Sequence, residues 1–367
     1  MSNVKTVNKK VKFFIIILGF FLLLVVLLFS LFFTTWLKGR LIAQVEEHSN
    51  YKLKINSITL KGLHGLQFKG IELSPKLDST QFYRLGNKEC DWVVVKATLF
   101  LEGIDWRTLL WKNIIYADKL TITETDLYVF RNKKMPDAPY KYKPLHSRLL
   151  RNASFSITIP LIQIVKASIA YEENSDAGVR SKIVFSKLYG TIYHLSTDSA
   201  YIAGQPEVIV DGKGIIADSI EGAMRYKFNT HNKRDSYTFE GHTGAFSASI
   251  LNKYITPMTG AQISSGHVGK IALLFHADDN LATGTLDIDY NNLRVDFLSK
   301  KNRGLKLILK TLINKDDRKR NGKEMEVGKI NCRRDAGKSV FNYWWHAIKS
   351  GLQSSIVKIA LPEKRKK

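Results

Sequence analysis

From residue 53 onward the chain is written in short stretches where apolar and polar positions alternate with a period of two. In WVVVKATLFLEG, Val93, Val95, Ala97, Leu99 and Leu101 share one parity, while Lys96, Thr98 and Glu102 share the other. Such alternation predicts a β-strand with one apolar face. DKLTITETDLYVFR alternates too, but Leu120 and Ile122 lie on one parity and Leu127 and Val129 on the other. A phase change inside a strand predicts a β-bulge. TGTLDIDYNNLRVDFLS changes phase in the same way at Asn291 and Asn292, between Leu286, Ile288, Tyr290 and Leu293, Val295, Phe297. The stretches between carry Gly, Asn and Asp at short turns, and no long amphipathic helix separates one strand from the next. Antiparallel pairing in a mainly β fold is the expectation.

Three segments break the pattern. WRTLLW, Trp106–Trp111, predicts a short helical turn. NKKMPDAPYKYKP, within residues 132–150, holds three prolines and four lysines and predicts a loop or linker. Near the end, SVFNYWWHAIKSGLQSSIVKIA predicts a helix over 339–361 with Ser339 as N-cap. Phe341, Trp345, Ile348, Leu352, Ile356 and Ile359 fall three and four apart and predict its apolar stripe. That stripe has two readings: it caps the edge of the sheet, or it lies in a membrane interface.

Phe13–Leu37 carries no charge over 25 positions. About 20 apolar residues cross a bilayer core, so the expectation is one uncleaved transmembrane helix with Trp36 at its interface. Lys5, Lys9, Lys10 and Lys12 precede it, and only Lys38 and Arg40 closely follow. The positive-inside rule then places residues 1–12 in the cytoplasm and everything after the anchor outside it, which in a Gram-negative cell is the periplasm. Net charge is +23, which suggests a polyanionic partner. With this topology that partner is an anionic membrane rather than nucleic acid. The excess is uneven: residues 294–367 hold 21 Lys and Arg against 7 Asp and Glu. Two cysteines, Cys90 and Cys332, are too few for a disulfide framework, and their pairing stays open.

The chain is poor in recognisable chemistry. Gly337, Lys338 and Ser339 end like a phosphate-binding loop, but the required first glycine would be at position 332, which is Cys332. The nine histidines show no ligand spacing, and two isolated cysteines do not make a zinc site. Asp278 and Asp279 read as a turn; Asp287 and Asp289 read as the solvated parity of a strand. No metal, cofactor or catalytic set is expected. The ordinary fate of an apolar strand face is a dry sandwich core. An open groove that accommodates lipid is the alternative.

The order of segments favours the groove. LKINSITLKGLHGLQFKGIEL follows the apolar N-terminal stretch. Then comes VVVKATLFLEGIDWRTLLWKNIIYADKLTITETDLYVFR, with WRTLLWKN as a helical turn and DLYVFRN as the strand end. Later, Gly266 and Gly284 lead paired strands, the second ending in YNNLRV. This arrangement resembles the AsmA and TamB family of Gram-negative envelope proteins. The resemblance implies a long, twisted antiparallel sheet folded into an apolar groove, anchored in the inner membrane and supporting phospholipid traffic to the outer membrane. Phospholipid, the inner membrane and envelope or outer-membrane proteins are the implied partners. About fifteen strands spaced ~4.8 Å apart would make a groove of roughly 70 Å. Groove candidates are Leu66, Phe68, Val93, Val95, Ala97, Leu99, Leu101, Ile271, Leu273, Leu286, Ile288 and Tyr290. Membrane-interface candidates are Trp36, Phe341, Trp345 and Ile348. The expected division is an anchor at 13–37, β segments at 38–131 and 151–313, a basic loop at 314–338, the helix, and a basic tail at 362–367. A non-transporting assembly factor on the same sheet is the rival reading, with an enzyme a distant third.

Overall fold

The computed structural model describes residues 31–78, 81, 92–112, 114–133, 140–153, 156–175, 178–297 and 327–356. It is mainly β, built on one 14-stranded twisted sheet. A helix over 31–48 (α1) leads into the hairpin β1 (Tyr51–Leu60) and β2 (Leu66–Pro75). Then come β3 (Trp92–Glu102), α2 (Trp106–Lys112), β4 (Ile114–Tyr116) and β5 (Lys119–Asn132). After α3 (His146–Arg151) run β6 (Ser156–Asn174), β7 (Arg180–Ser196), α4 (Ser199–Gly204), β8 (Glu207–Ile216), β9 (Ile220–Asn229), β10 (Tyr237–Thr243) and β11 (Phe246–Ser247). The chain closes with α5 (Asn252–Thr259), β12 (Ala261–Ala277), β13 (Leu281–Phe297), β14 (Gly328–Arg333) and α6 (Val340–Ile356).

Twelve strands form the main path, nearly in chain order: β1, β2, β3, β5 to β10, then β12 to β14. Most pairs are antiparallel, but β5 and β6 are parallel, as are β4 and β6. The sheet is therefore mixed. A parallel pair needs a crossover of a dozen residues or more. The Pro- and Lys-rich segment 132–150 leads into that crossover and is more than a linker. Among its described residues Pro144 stays outside any ladder, and α3 docks on β9.

Both phase changes become bulges. Between β3 and β5 the register advances from Lys96↔Asp126 to Thr98↔Thr123, and Glu124 sits at φ 51°. Between β12 and β13 it advances from Ser265↔Arg294 to His267↔Asn291, with Asn292 at φ 50°. Related kinks recur in neighbouring strands, at Gly70 in β2, Lys166 in β6 and Lys187 in β7. Together with Glu124 they form a seam along which the sheet creases. Gly70 has a second reason to be glycine: a Cβ there would lie 2.1 Å from the Asn56 amide.

Two apolar clusters hold the sheet at its ends. One surrounds Ile55, Ile58, Leu66, Phe68, Ile104, Ile159 and Ile162, and α1 covers it with Leu37 and Leu41. The other surrounds Tyr226, Phe239, Phe275, Leu286 and Tyr290, under α6 and the crossover. Ile192 packs against both.

The anchor predicted over 13–37 lies outside the described residues up to residue 30; residues 31–37 open α1. Among the described residues no helix is long and apolar enough to cross a membrane. Cys332 is buried and Cys90 lies outside the described residues. The loop expected at 314–338 instead contributes an edge strand, because GKINCR alternates buried and exposed positions and pairs with β13. Its remaining residues up to 326, with 298–313, the tail and the end of the C-terminal helix, lie outside the described set.

Candidate functional site

Cross-strand partners in a sheet share a face. Followed from strand to strand, the register draws one row across the whole path: Ile58, Phe68, Leu99, Ile122, Ile164, Gly190, Gly212, Met224, Gly241, Leu273, Leu286 and Gly328. A second row on the same face reads Leu60, Leu66, Leu101, Leu120, Ile162, Ile192, Val210, Tyr226, Phe239, Phe275, Gly284 and Ile330. No charged residue interrupts either. The row between them, facing the other way, runs Thr59, Gln67, Phe100, Thr121, Gln163, Thr191, Asp211, Arg225, Glu240, Leu274, Thr285 and Lys329, and it is mostly polar. One face of the sheet is thus apolar from β1 to β14.

Beyond the crease a third row continues that face through Leu53, Leu73, Val95, Leu127, Ile169, Phe185, Ile216 and Ile220. A shorter one follows through Val93, Val129, Tyr171 and Ile183. The bulges make this possible. They flip the parity of β5, β6 and β7, so Leu127 meets Val95 and Phe185 meets Ile169 on the same face.

Coverage differs along the face. At the C-terminal end Phe275, Leu286 and Tyr290 are fully buried. In the middle, Val95, Leu127, Ile169 and Phe185 are half-buried and belong to neither end cluster. Of the groove candidates, Leu66, Phe68, Leu99 and Leu101 lie in the N-terminal cluster. Ile271, Leu273, Leu286, Ile288 and Tyr290 lie in the C-terminal cluster. Val93 and Val95 sit on the intervening rows, and Ala97, though buried, is in neither cluster. The two groups fall in separate clusters, joined by the shared face and by Ile192. Sequence reading passed over Leu127, Ile169, Phe185, Gly190 and Gly212 as site residues. Their signal was present as alternation, but only the register assigns them to a common face.

Helix α6 seals one end. Its packing face is Val340, Tyr343, Ala347, Gly351 and Ser355, so small residues meet the sheet. A Cβ on Gly351 would lie 2.7 Å from the Leu286 Cβ, and one on Gly328 would lie 2.6 Å from the Gly351 carbonyl oxygen. Close approach also lets the helix protect the sheet edge: Lys329 N–H donates to the Ser354 hydroxyl at 3.0 Å and Asn331 N–H to Ser350 at 3.2 Å. The stripe predicted for this helix is rotated by about one residue. Ile348, Leu352 and Ile356 pack partly against the core, but Phe341 and Trp345 are 65% and 51% exposed. Apolarity alone had selected the stripe; the ability to approach β13 and β14 closely sets the actual face. Ser339 does cap the helix, accepting from Asn342 N–H at 3.4 Å.

The crossover is pinned by buried charge. Asp235, with no exposed side-chain surface, accepts hydrogen bonds from Ser147 at 2.8 Å, Arg148 at 2.7 Å and Arg151 at 2.7 Å. Burial alone would raise its pKa, but these donors outweigh it and hold the carboxyl below its usual range. Asp279, expected to be simply part of a turn, also pairs with Arg148 and with Arg334. His146 rests among Tyr226, Phe228, Phe341 and Trp344. Burial there lowers its pKa.

The opposite face carries a cavity of about 570 Å³ over β6 to β10, lined by Gln163, Tyr189, Thr191, Asp211, Arg225 and Glu240 among others. Arg225 bridges Asp211 through Nε at 2.6 Å and a terminal nitrogen at 3.0 Å, and this bond keeps the Asp211 pKa low. Among the described residues no group of three or more His, Cys, Asp or Glu is placed to hold a metal ion. Trp36 is half-exposed on α1, its ring 6.2 Å from Phe33, which stacks edge-on to Trp106.

Searches among protein-family models, curated proteins and solved structures found no match to this chain.

Proposed function

We propose that this is a membrane-anchored, AsmA-like envelope protein that holds phospholipid acyl chains on the apolar face of its sheet. The observation that carries the reading is the pair of uncharged rows running unbroken from β1 to β14, continued by half-buried residues outside both end clusters. Acyl chains need continuous apolar surface and no reactive groups. A strand face supplies that surface while its other parity stays wet. On this reading Phe13–Leu37 holds the chain in the inner membrane, the sheet stands in the periplasm, and lipid moves toward the outer membrane. Burial of about 25 cal/mol per Å² makes even a few strand widths of covered acyl chain a substantial attraction.

The closure of the C-terminal end by α6 and the crossover favours a second reading, in which the sheet is a scaffold for envelope or outer-membrane protein assembly and carries no lipid. Mass spectrometry of the full chain, purified in mild detergent, separates the two. Phospholipid retained in near-stoichiometric amount, and lost in Val95→Asp, supports the lipid reading. No retained lipid, or equal retention in Val95→Asp and Lys96→Asp, overturns it.

A further inference from the structure

The fold joins two basic, aromatic segments that lie nearly 200 residues apart. Lys143 N–H donates to the Ala336 carbonyl at 2.7 Å, and Arg334 donates to the Lys143 carbonyl. Gly337 sits against the ring of Tyr140, so that a Cβ there would be 3.0 Å from it. Around this junction Tyr140 is 73% exposed, Phe341 65% and Trp345 51%. Lys141 and Lys349 are exposed on the same two segments, and the described residues 327–356 hold 5 Lys and Arg against 1 Asp and no Glu. The nearby acids are engaged: Asp335 accepts from Gly337 N–H, Asp278 from Asn280 and Leu281 N–H, and Asp279 pairs with arginines.

We infer that this surface, made by the crossover and the outward side of α6, docks on an anionic lipid bilayer. The chemistry is that of an interfacial anchor. Trp and Tyr place an apolar body and a polar tip at headgroup depth, Phe enters deeper, and lysines and arginines face the lipid phosphates. The aromatics are mostly exposed, with Phe341 resting edge-on against Trp344, and the free charge is predominantly positive because the local aspartates are engaged by backbone amides and arginines. The inward side of the helix is already committed to Leu286 and Ile330, so docking leaves the sheet closed. The surface lies at β14, eleven strand spacings from β1, which is about 50 Å along the sheet. A bilayer there is met by the end of the sheet remote from α1. The inference stands independently of whether the apolar face carries lipid.

The test uses the full chain reconstituted in proteoliposomes, so that its N-terminal apolar stretch is already satisfied, with fluorescent acceptor vesicles added. Acceptors containing 30% anionic lipid should be tethered, and neutral acceptors should not. Raising salt from 50 to 500 mM should weaken tethering. Each charge removed, as in Lys349→Gln or Lys141→Gln, should weaken it about fivefold. Trp345→Ser should weaken it strongly at an unchanged melting temperature, since that side chain is half exposed, and Phe341→Ser with Trp345→Ser should abolish it with only a small fall in melting temperature, from the lost contact of Phe341 with Trp344. Equal tethering of neutral vesicles, no tethering at all, or an unchanged double variant would overturn the inference. A chain that tethers vesicles yet retains no lipid would keep this docking surface and dismiss the lipid-binding face.

Discussion

The β9–β14 end and the β3–β7 middle share one alternation pattern but meet different fates. At the C-terminal end the apolar rows receive a lid: α6 brings Tyr343, Ala347 and Gly351 onto β13 and β14, and α3 brings Leu145 and His146 onto β9. The result is a dry core with Phe275 and Leu286 at 0% exposure. In the middle, Val95, Leu127, Ile169 and Phe185 present the same kinds of side chain and are only half-buried. Alternation therefore specifies a face. Whether the face becomes a core depends on a separate element arriving to cover it, and that element is specified elsewhere in the chain. The small residues of α6 and the Arg–Asp lock of the crossover perform that role at one end.

The comparison breaks most sharply under truncation of an aromatic. Phe275→Ala should cost about 3–5 kcal/mol, because the site is closed on all sides and a cavity remains. Phe185→Ala should cost about 1–2 kcal/mol, since part of that ring already meets solvent. Chemical denaturation of the two variants in the same detergent measures the gap. Equal losses would mean that the middle is as closed as the end.

Next in size is the lock itself. Asp235→Ala leaves Arg148, Arg151 and Ser147 without their shared acceptor. We expect about 3 kcal/mol, the low end for a broken buried pair, because the guanidinium side chains are about 30% exposed. Limited proteolysis should show new cleavage around residues 140–153, and lipid retention on the middle rows should survive. Loss of lipid along with the lock would show the crossover to be part of the binding face.

A charge placed on each region sharpens the contrast further. Leu286→Asp should prevent folding of the C-terminal end, because the carboxylate would be sealed beneath α6. Val95→Asp should lower stability by about 1 kcal/mol, since the carboxylate can turn to solvent, but it should empty the face of acyl chains. A fully unfolded Val95→Asp chain would place that position in a dry core and remove the basis for lipid binding there.

These regions were unequally legible in the sequence. The strand parities, the bulges at Glu124 and Asn292, the turn at Trp106–Trp111 and the N-cap at Ser339 could all be read locally, because each depends on neighbours within a few residues. The parallel step from β5 to β6 could not, since it depends on where a proline-rich segment lands across the sheet. The face of α6 was misread for a related reason. Its packing side is chosen by how closely Gly351 and Gly328 allow the backbones to approach, and apolarity favoured Phe341 and Trp345 instead. The continuity of the apolar face was hidden too: each strand showed its parity, but only the register shows that Leu99, Ile122, Ile164 and Gly190 belong to one row.

The smallest effect concerns pH and touches the sealed end alone. His146 packs beneath Phe341 and Trp344, its Nδ1 3.1 Å from the Tyr226 hydroxyl, and burial depresses its pKa below the usual 6.5. The unfolded chain then binds a proton at a pH where the folded chain does not. Stability is fully present above about pH 6.5 and falls as pH drops below it, by at most about 1.4 kcal/mol per pH unit for one site. The other charged groups around α3 do not cancel this slope. Tyr226 is pushed to higher pH by burial, and Asp235 is held ionised by its donors from Arg151, Ser147 and Arg148. A melting-temperature series from pH 7.5 to 5.5 should therefore decline in the native chain and decline less in His146→Gln, whose amide keeps a partner for Tyr226 but carries no titrating charge. Trp344 fluorescence should follow the same profile. Identical slopes in the two chains would mean that the acid sensitivity arises elsewhere and that the lid over β9 is indifferent to its histidine.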